Sequence, residues 1–237
     1  MALPKLNVPK YKMKLPSDGR TVNYRPFLVK EEKILLIATE TGDQSNIITA
    51  IKDIIKNCTD IQEVEKLSTF DIEYLFLQIR TKSAGEEVNV LLTCPDDGET
   101  QVEVKIPLDQ IKVKKTKGHK KELKLSDTCI LTMDYPSLDT FVQMNFVEGQ
   151  DVQMDQIFGM AAGCVKSIAD VEEVHDCTDL PKEEIVEFFE NLSSKQFQLV
   201  QDFFDTMPKL QHTVKVTNPK TSVESDVVLE GLASFFG

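Results

Sequence analysis

The sequence has few of the residues that commonly form catalytic or metal centres. Its 237 residues include only three histidines and five cysteines. None of the histidines lies in a glycine-rich elbow beside a serine or cysteine nucleophile. No glycine-rich loop of the kind that holds a phosphate group is present either. We therefore predict that the protein is not an enzyme, and we assign no catalytic, cofactor-binding or metal-binding residues.

Disulfides and membrane spans are also not indicated. The cysteines are odd in number and irregularly spaced, which does not suit a disulfide framework. We therefore expect synthesis in a reducing cytoplasm. The longest apolar runs are about six residues, far short of the ~20 needed to cross a bilayer. The first residues lack the apolar segment of a signal peptide, so no membrane partner is expected.

Two turn-like sequences resemble parts of a metal site, but neither is complete. Residues 94–98, CPDDG, resemble half of a zinc-ribbon turn, with Asp97 where the second cysteine would be. Residues 218–221, NPKT, have a similar turn shape and no cysteine. A structural zinc ion needs four well-placed ligands. Both sequences are therefore interpreted as ordinary hairpin turns.

One cluster keeps a metal-dependent hydrolase open as a lesser alternative. His175 and Cys177 are close neighbours in the sequence, and Asp179 follows them. The favoured interpretation is a polar loop before a helix. Loss of an activity on substitution of these three residues, with the fold intact, would support the alternative.

The charge is distributed unevenly. The net charge is −12, but residues 112–124 hold seven lysines and one glutamate, which leaves −18 for the rest of the chain. An acidic body argues against nucleic-acid binding, which depends on neutralising phosphates. The favoured interpretation of the lysine window is a solvated loop between strands. The alternative is a docking arm for an acidic partner, with Lys114, Lys115 and Lys117 as candidate contacts.

The first 131 residues alternate between hairpins and helices. Asp18-Gly19 and Asp97-Gly98 favour tight turns between runs of alternating apolar residues. Apolar residues at helical spacing predict three helices between these turns. The predicted elements are a hairpin at 9–15 and 20–27, helices at 30–39, around 47–55 and at 71–82, and a hairpin at 88–92 and 102–106. Residues 123–130 are expected to form the strand that returns from the lysine window.

The remaining part, 132–237, is expected to be mainly helical with a final hairpin. Pro136 and Pro181 suit the first turn of a helix. The predicted elements are helices at 136–147, 152–168, 181–192 and 193–204, a short strand at 171–174, and a hairpin at 213–216 and 226–229. The sequence thus predicts an α+β fold of β-hairpins and a short antiparallel sheet packed with helices. It favours parts at 1–131 and 132–237, and one continuous domain stays open.

Four phrases, spread in order over nearly the whole chain, resemble those of a phage protein family. Residues 24–33 read YRPFLVKEEK and residues 70–83 read FDIEYLFLQIRTKS. Residues 202–210 read DFFDTMPKL and residues 229–236 read LEGLASFF. The sequence resembles the baseplate (central hub) protein family of T-even-like contractile-tailed bacteriophages. No catalytic residues come with this resemblance.

The resemblance implies a function carried by protein contacts. It implies a hub component or hub assembly factor in the virion tail baseplate, with other phage baseplate hub proteins as partners. A chaperone-like adaptor that acts in the host cytoplasm and is absent from the finished virion is the alternative. The oligomeric state stays unknown.

Several further residues are candidates for such contacts. Arg25 could pair with Glu31, Glu32 or a carboxylate of a partner, and Phe27 could hold the hairpin on the core. Arg80 and Lys82 lie near a helix end and suit its negative terminus. The terminal Phe235 and Phe236 are interface candidates because a terminal segment becomes ordered only when something binds it. These candidate contacts join the three lysines of the window.

Overall fold

The structure is a computed structural model that describes residues 7–40, 44–138, 154–231 and 234. Contacts divide the chain into two compact units. Unit 1 comprises Met1–Val64, Phe70–Lys114 and Lys209–Gly237, and unit 2 comprises Glu65–Thr69 and Lys115–Pro208. The division into parts at 1–131 and 132–237 that the sequence favours stays a prediction.

The described residues form helices together with small antiparallel sheets, which confirms the predicted α+β fold. The helices are α1 (Val29–Glu40), α2 (Gln44–Cys58), α3 (Thr69–Ala84), α4 (Met154–Gly163), α5 (Lys182–Glu190) and α6 (Ser194–Thr206). The strands are β1 (Tyr11–Lys14), β2 (Thr21–Tyr24), β3 (Glu87–Thr93), β4 (Gln101–Pro107), β5 (Lys112–Lys114), β6 (Glu122–Lys124), β7 (Ile130–Met133), β8 (Val165–Ala169), β9 (Val174–Asp176), β10 (Lys209–Thr217) and β11 (Glu224–Glu230). No helix in the described ranges is long and apolar enough to cross a membrane.

Unit 1 is built from the predicted hairpins and the first helices. Strands β1 and β2 pair as expected, and the turn between them places Gly19 at φ +76°, a conformation that glycine adopts without strain. Strands β3 and β4 form a second hairpin, and β10 pairs with both β11 and β5. The apolar faces of these strands meet Leu77 of α3 in one buried cluster. This cluster fixes the positions of two hairpin turns that are distant in the sequence.

Unit 2 packs helices α4, α5 and α6 with a four-stranded sheet of order β6-β7-β8-β9. Its core includes Phe189 and Phe203, each 1% exposed. Helix α6 begins with a capping box, in which Ser193 and Gln196 satisfy each other's backbone groups. The expected helix start at Ser193 or Ser194 is therefore confirmed. The Gln196 amide also donates to the Leu125 carbonyl at 3.1 Å, which joins α6 to the loop after β6.

Three sequence-based expectations differ from the structure. Residues 165–168 form strand β8 rather than the end of a helix, because they pair with β7 and β9. The segment 123–130, expected to form a single strand returning from the lysine window, instead contains the end of β6 and the start of β7. Strand β6 pairs with β7, whereas β5, which precedes the lysine loop, pairs with β10. The strand expected at 171–174 lies later, at Val174–Asp176. The helix expected at 136–147 falls almost wholly outside the described residues.

Candidate interaction surfaces

Arg25 joins three segments of unit 1 at the end of strand β2. Its Nη2 atom donates to Glu31 Oε1 at 2.9 Å and to the Asn57 carbonyl at 3.0 Å, while Nη1 donates to the Pro26 carbonyl at 2.8 Å. The backbone N–H of Arg25 donates to the Cys58 carbonyl. A cation is favourable at the end of α2, where helix carbonyls lack partners. Of the pairings expected for Arg25, the structure shows the one with Glu31.

Glu31 is the buried partner in this arrangement. Its side chain is 1% exposed, and Oε2 accepts from the Leu28 backbone N–H at 2.8 Å. Lys30 Nζ lies 3.2 Å from Oε1. Burial alone would raise the pKa of Glu31, but the hydrogen bonds from Arg25, Leu28 and Lys30 outweigh burial and lower it. The carboxylate is therefore ionised where it holds the hairpin, the start of α1 and Arg25 together.

Three further candidates in unit 1 lie near the C-terminal end of α3. The Phe27 backbone N–H donates to Ser83 Oγ at 2.8 Å, and the Phe27 side chain is half-buried. Burial lowers the pKa of Arg80. Lys82 contacts Glu86 at 3.3 Å, and its Nζ lies 5.8 Å from the centre of the Tyr11 ring. Their role in binding a partner stays a prediction.

Residues 115–124 of the lysine window lie in unit 2, where His119 anchors them. The His119 ring stacks on Tyr135 at 5.7 Å and contacts Phe203 at 5.1 Å, measured between ring centroids. Its Nδ1 atom lies 2.9 Å from Thr206 Oγ1, and that hydroxyl donates to the Asp202 carbonyl at 2.6 Å. Nδ1 therefore carries the proton and donates. No motif in the sequence indicated this anchor, since its ring partners are distant along the chain.

Two lysines of the window are also held by neighbours. Lys121 Nζ contacts Asp134 Oδ1 at 2.6 Å and lies 4.1 Å from the centre of the Tyr135 ring. Lys124 Nζ contacts Asp127 at 2.7 Å. These contacts, with His119, fix the backbone that carries the remaining lysines.

The remaining lysines of the window project into solvent. Lys115, Lys117 and Lys120 are exposed, and none of them forms an ion pair with another described residue. Lys114, at the end of β5 in unit 1, contacts Thr213 Oγ1 at 3.4 Å. We name Lys115, Lys117 and Lys120 the lysine surface. Its positive charge is displayed on an anchored segment of an acidic protein.

The two turns considered as parts of a metal site meet in unit 1. Asn218 is fully buried, and its amide donates to both carboxylate oxygens of Asp96, at 3.1 and 3.0 Å. The Thr221 hydroxyl also donates to Asp96 Oδ2. Hydrogen bonds to Thr100, Asn218 and Glu99 lower the pKa of Asp97, so its carboxylate remains ionised. Direct hydrogen bonds therefore join the tips of the two hairpins.

No cluster of His, Cys, Asp or Glu suited to a metal ion is found among the residues that the structure describes. His175 lies in β9, 3.3 Å from Asp170 and 3.5 Å from Glu173, which are two residues of the turn between β8 and β9. Cys177 is buried and donates weakly to the His175 carbonyl. The polar loop expected before a helix is wrong at His175, because His175 pairs with Ile168 in the sheet, and Cys177 follows β9 before α5. Phe235 and Phe236 lie outside the described residues.

His119 leads to a prediction about pH. Burial, with a smaller contribution from Lys121, lowers the pKa of His119, and its buried Nε2 atom has no hydrogen-bond partner among the residues that the structure describes. The unfolded chain then binds a proton more readily, so stability should be complete above about pH 6.5 and decrease as the pH falls below it. We expect His119→Phe, which keeps a ring in the stack, to reduce this decrease.

Urea unfolding between about pH 5 and pH 8, followed by circular dichroism, measures the effect. Burial also lowers the pKa of His212, so the stability of the His119 variant should still depend in part on pH. His212→Phe is the matched comparison in unit 1. An unchanged pH dependence in the His119 variant would show that this ring is not preferentially neutral in the folded state.

Comparison with known proteins gives one family. A family model described as T4 bacteriophage base plate protein matches residues 8–237. No curated protein and no solved structure matches the chain significantly. The matched range includes all of unit 2, unit 1 from residue 8 onward, and every surface described above.

Proposed function

Because the chain belongs to the T4 bacteriophage base plate protein family, we propose that it is a non-enzymatic component of the central hub of the tail baseplate. Membership of the family makes it a structural protein of the phage baseplate. The observation that carries the finer proposal is the lysine surface, which is anchored in place and forms no ion pair with another described residue. Its partners would be other hub proteins, and it would act by contact.

The lysine surface suits a partner segment rich in carboxylates. Because the rest of the protein is acidic, it would repel such a segment elsewhere and direct it to Lys115, Lys117 and Lys120. The anchor at His119 reduces the entropy lost when the lysines bind, since the backbone is already ordered. This preorganisation supports a docking surface over a merely solvated loop.

The other candidate residues are given different roles in this proposal. Arg25 and Phe27 would set the angle between the first hairpin and α1, because their contacts lie within unit 1. Lys82 and Arg80 would add charge near the end of α3, and Lys114 would extend the positive charge along β5. Phe235 and Phe236 would contact a partner as an apolar terminal pair.

A hub assembly factor is the second candidate function. Val171, in the turn between β8 and β9, is 76% exposed, and Val174, the first residue of β9, is 68% exposed. Exposed apolar side chains on a polar turn suit a chaperone-like adaptor that covers an apolar surface of a partner during assembly. Such a factor would act in the host cytoplasm and leave before the virion is complete.

The proposal predicts that the lysine surface is required for assembly. A phage that lacks this chain should accumulate incomplete baseplates, and the wild-type chain supplied from a plasmid should restore tails. Replacing Lys115, Lys117 and Lys120 together by glutamate should reduce infectious particles at least about tenfold, because it opposes an acidic partner.

A charge-matched variant controls for the change in net charge. Lys10, Lys12 and Lys14, at the first hairpin of unit 1, are also exposed, and none forms an ion pair with another described residue. A chain in which these three lysines are replaced by glutamate should restore tails nearly as well as the wild-type chain. Equal loss with both triple variants would remove the support for the lysine surface. Normal baseplates without this chain would contradict the hub role itself.

A further inference from the structure

Helix α1 has an outward apolar face that the described residues of unit 1 leave exposed. Val29, Leu36 and Ile37 are 78%, 58% and 52% exposed. The opposite side of the helix is buried through Glu31 and Ala38, and α1 packs against α2. An apolar side of a helix is usually buried against a neighbour. The outer face therefore indicates a second contact.

Two opposite charges border this face at a self-complementary spacing. Lys33 lies three residues before Leu36, and Glu40 lies three residues after Ile37. Residues three, four and seven apart share one side of a helix, so these four side chains form one stripe. Lys33 and Glu40 are exposed, and neither forms an ion pair with another described residue.

We propose that α1 pairs with α1 of a second copy of this chain, antiparallel, about a two-fold axis between Leu36 and Ile37. In this register Leu36 of each copy faces Ile37 of the other. Lys33 of each copy faces Glu40 of the other, so both ends of the contact carry an ion pair. A two-fold interface requires such self-complementarity. A parallel pairing would instead place Lys33 opposite Lys33 and Glu40 opposite Glu40.

Charge exchange tests this register. Sedimentation equilibrium of the purified chain over a wide range of concentrations should show a monomer and a dimer. Lys33→Glu should raise the dimer dissociation constant about tenfold or more, because like charges then face each other at both ends. Glu40→Lys should have the same effect. The double variant Lys33→Glu/Glu40→Lys should dimerise like the wild type, because it restores both pairs in reverse.

Mixing the two single variants gives a sharper result. The Lys33→Glu variant has only acidic groups at the two charged positions of the stripe, and the Glu40→Lys variant has only basic groups there. Native mass spectrometry of the mixture should therefore show heterodimers in preference to either homodimer. Lys56→Glu and Asp53→Lys, at exposed positions of α2, make the same charge changes away from the stripe. These controls should leave the dissociation constant within about twofold of the wild type.

Three outcomes would overturn the proposal. One is a wild-type chain that stays monomeric at every concentration. Another is a dimer that the single variants do not weaken. The third is a double variant as weak as the single variants. Circular dichroism of each variant, compared with the wild type, separates loss of pairing from loss of folding. If this face binds a different protein instead, the purified wild-type chain would stay monomeric.

Discussion

Replacing Glu31 by alanine is expected to lower the free energy of unfolding by about 3 kcal/mol. The substitution leaves the Arg25 guanidinium, 18% exposed, without its carboxylate. It also leaves the Leu28 backbone N–H at the start of α1 without an acceptor. Urea unfolding followed by circular dichroism measures the change, since the chain has no tryptophan to report by fluorescence.

The neighbouring carboxylate provides the control. Glu32 is exposed on the same turn of α1, and Glu32→Ala should change the free energy of unfolding by no more than about 0.5 kcal/mol. Arg25→Met combined with Glu31→Leu should cost less than the two single changes added together, because both members of the pair are then apolar. Additive losses would show that Arg25 and Glu31 do not stabilise each other.

The same pair predicts part of the acid sensitivity. Since the folded-state pKa of Glu31 is lowered, its contribution to stability is complete above the unfolded pKa, near 4.5, and is lost as the pH falls through the folded pKa. The Glu31→Ala variant should therefore lose less stability on acidification than the wild type. This difference should appear only below about pH 5, whereas the effect of His119 begins below about pH 6.5.

Changing Asn218 to aspartate should separate the two hairpin tips of unit 1. Asn218 donates to both oxygens of Asp96, so a carboxylate there would meet a second carboxylate at close range. Asn218→Ala should cost about 1–3 kcal/mol for the lost hydrogen bonds of a buried amide. Asn218→Asp should cost more than Asn218→Ala at neutral pH. Urea unfolding of both variants measures the order.

The aspartate variant should also recover in acid. The pKa of the new carboxyl group would be raised in the folded state, so its penalty is largest at neutral pH and shrinks as the pH falls towards about 4. Asn89→Asp, at an exposed position of β3 in the same unit, makes the same charge change and should be nearly neutral. If Asn218→Asp were no worse than Asn218→Ala at neutral pH, the hydrogen bonds to Asp96 would not be what joins the tips.

Local features of the fold could be predicted from the sequence. The two Asp-Gly pairs predicted the hairpins β1-β2 and β3-β4, because Asp-Gly readily adopts the tight turn that joins antiparallel strands. The isoleucine stripe predicted α2, and Gly85, at φ +113°, follows the end of α3. Each of these features depends on residues close together in the chain.

Long-range pairing could not be predicted. The apolar residues within 165–168 have a spacing that suits either a buried helix or a buried strand. In the structure these residues form a strand because they pair with β7 and β9. The contact of Asp96 with Asn218 spans 122 residues and has no local pattern. The same applies to His119, whose anchoring role depends on Tyr135 and Phe203. The lysines themselves were visible in the sequence, but not the anchor that displays them.

Quantitative mass spectrometry of purified phage particles, beside lysates of cells blocked in tail assembly, tests the central claim most directly. We expect this chain in finished tails, at a constant ratio to the other baseplate proteins in every preparation. Its presence only with unfinished baseplates, and its absence from finished tails, would contradict a structural hub component and identify an assembly factor.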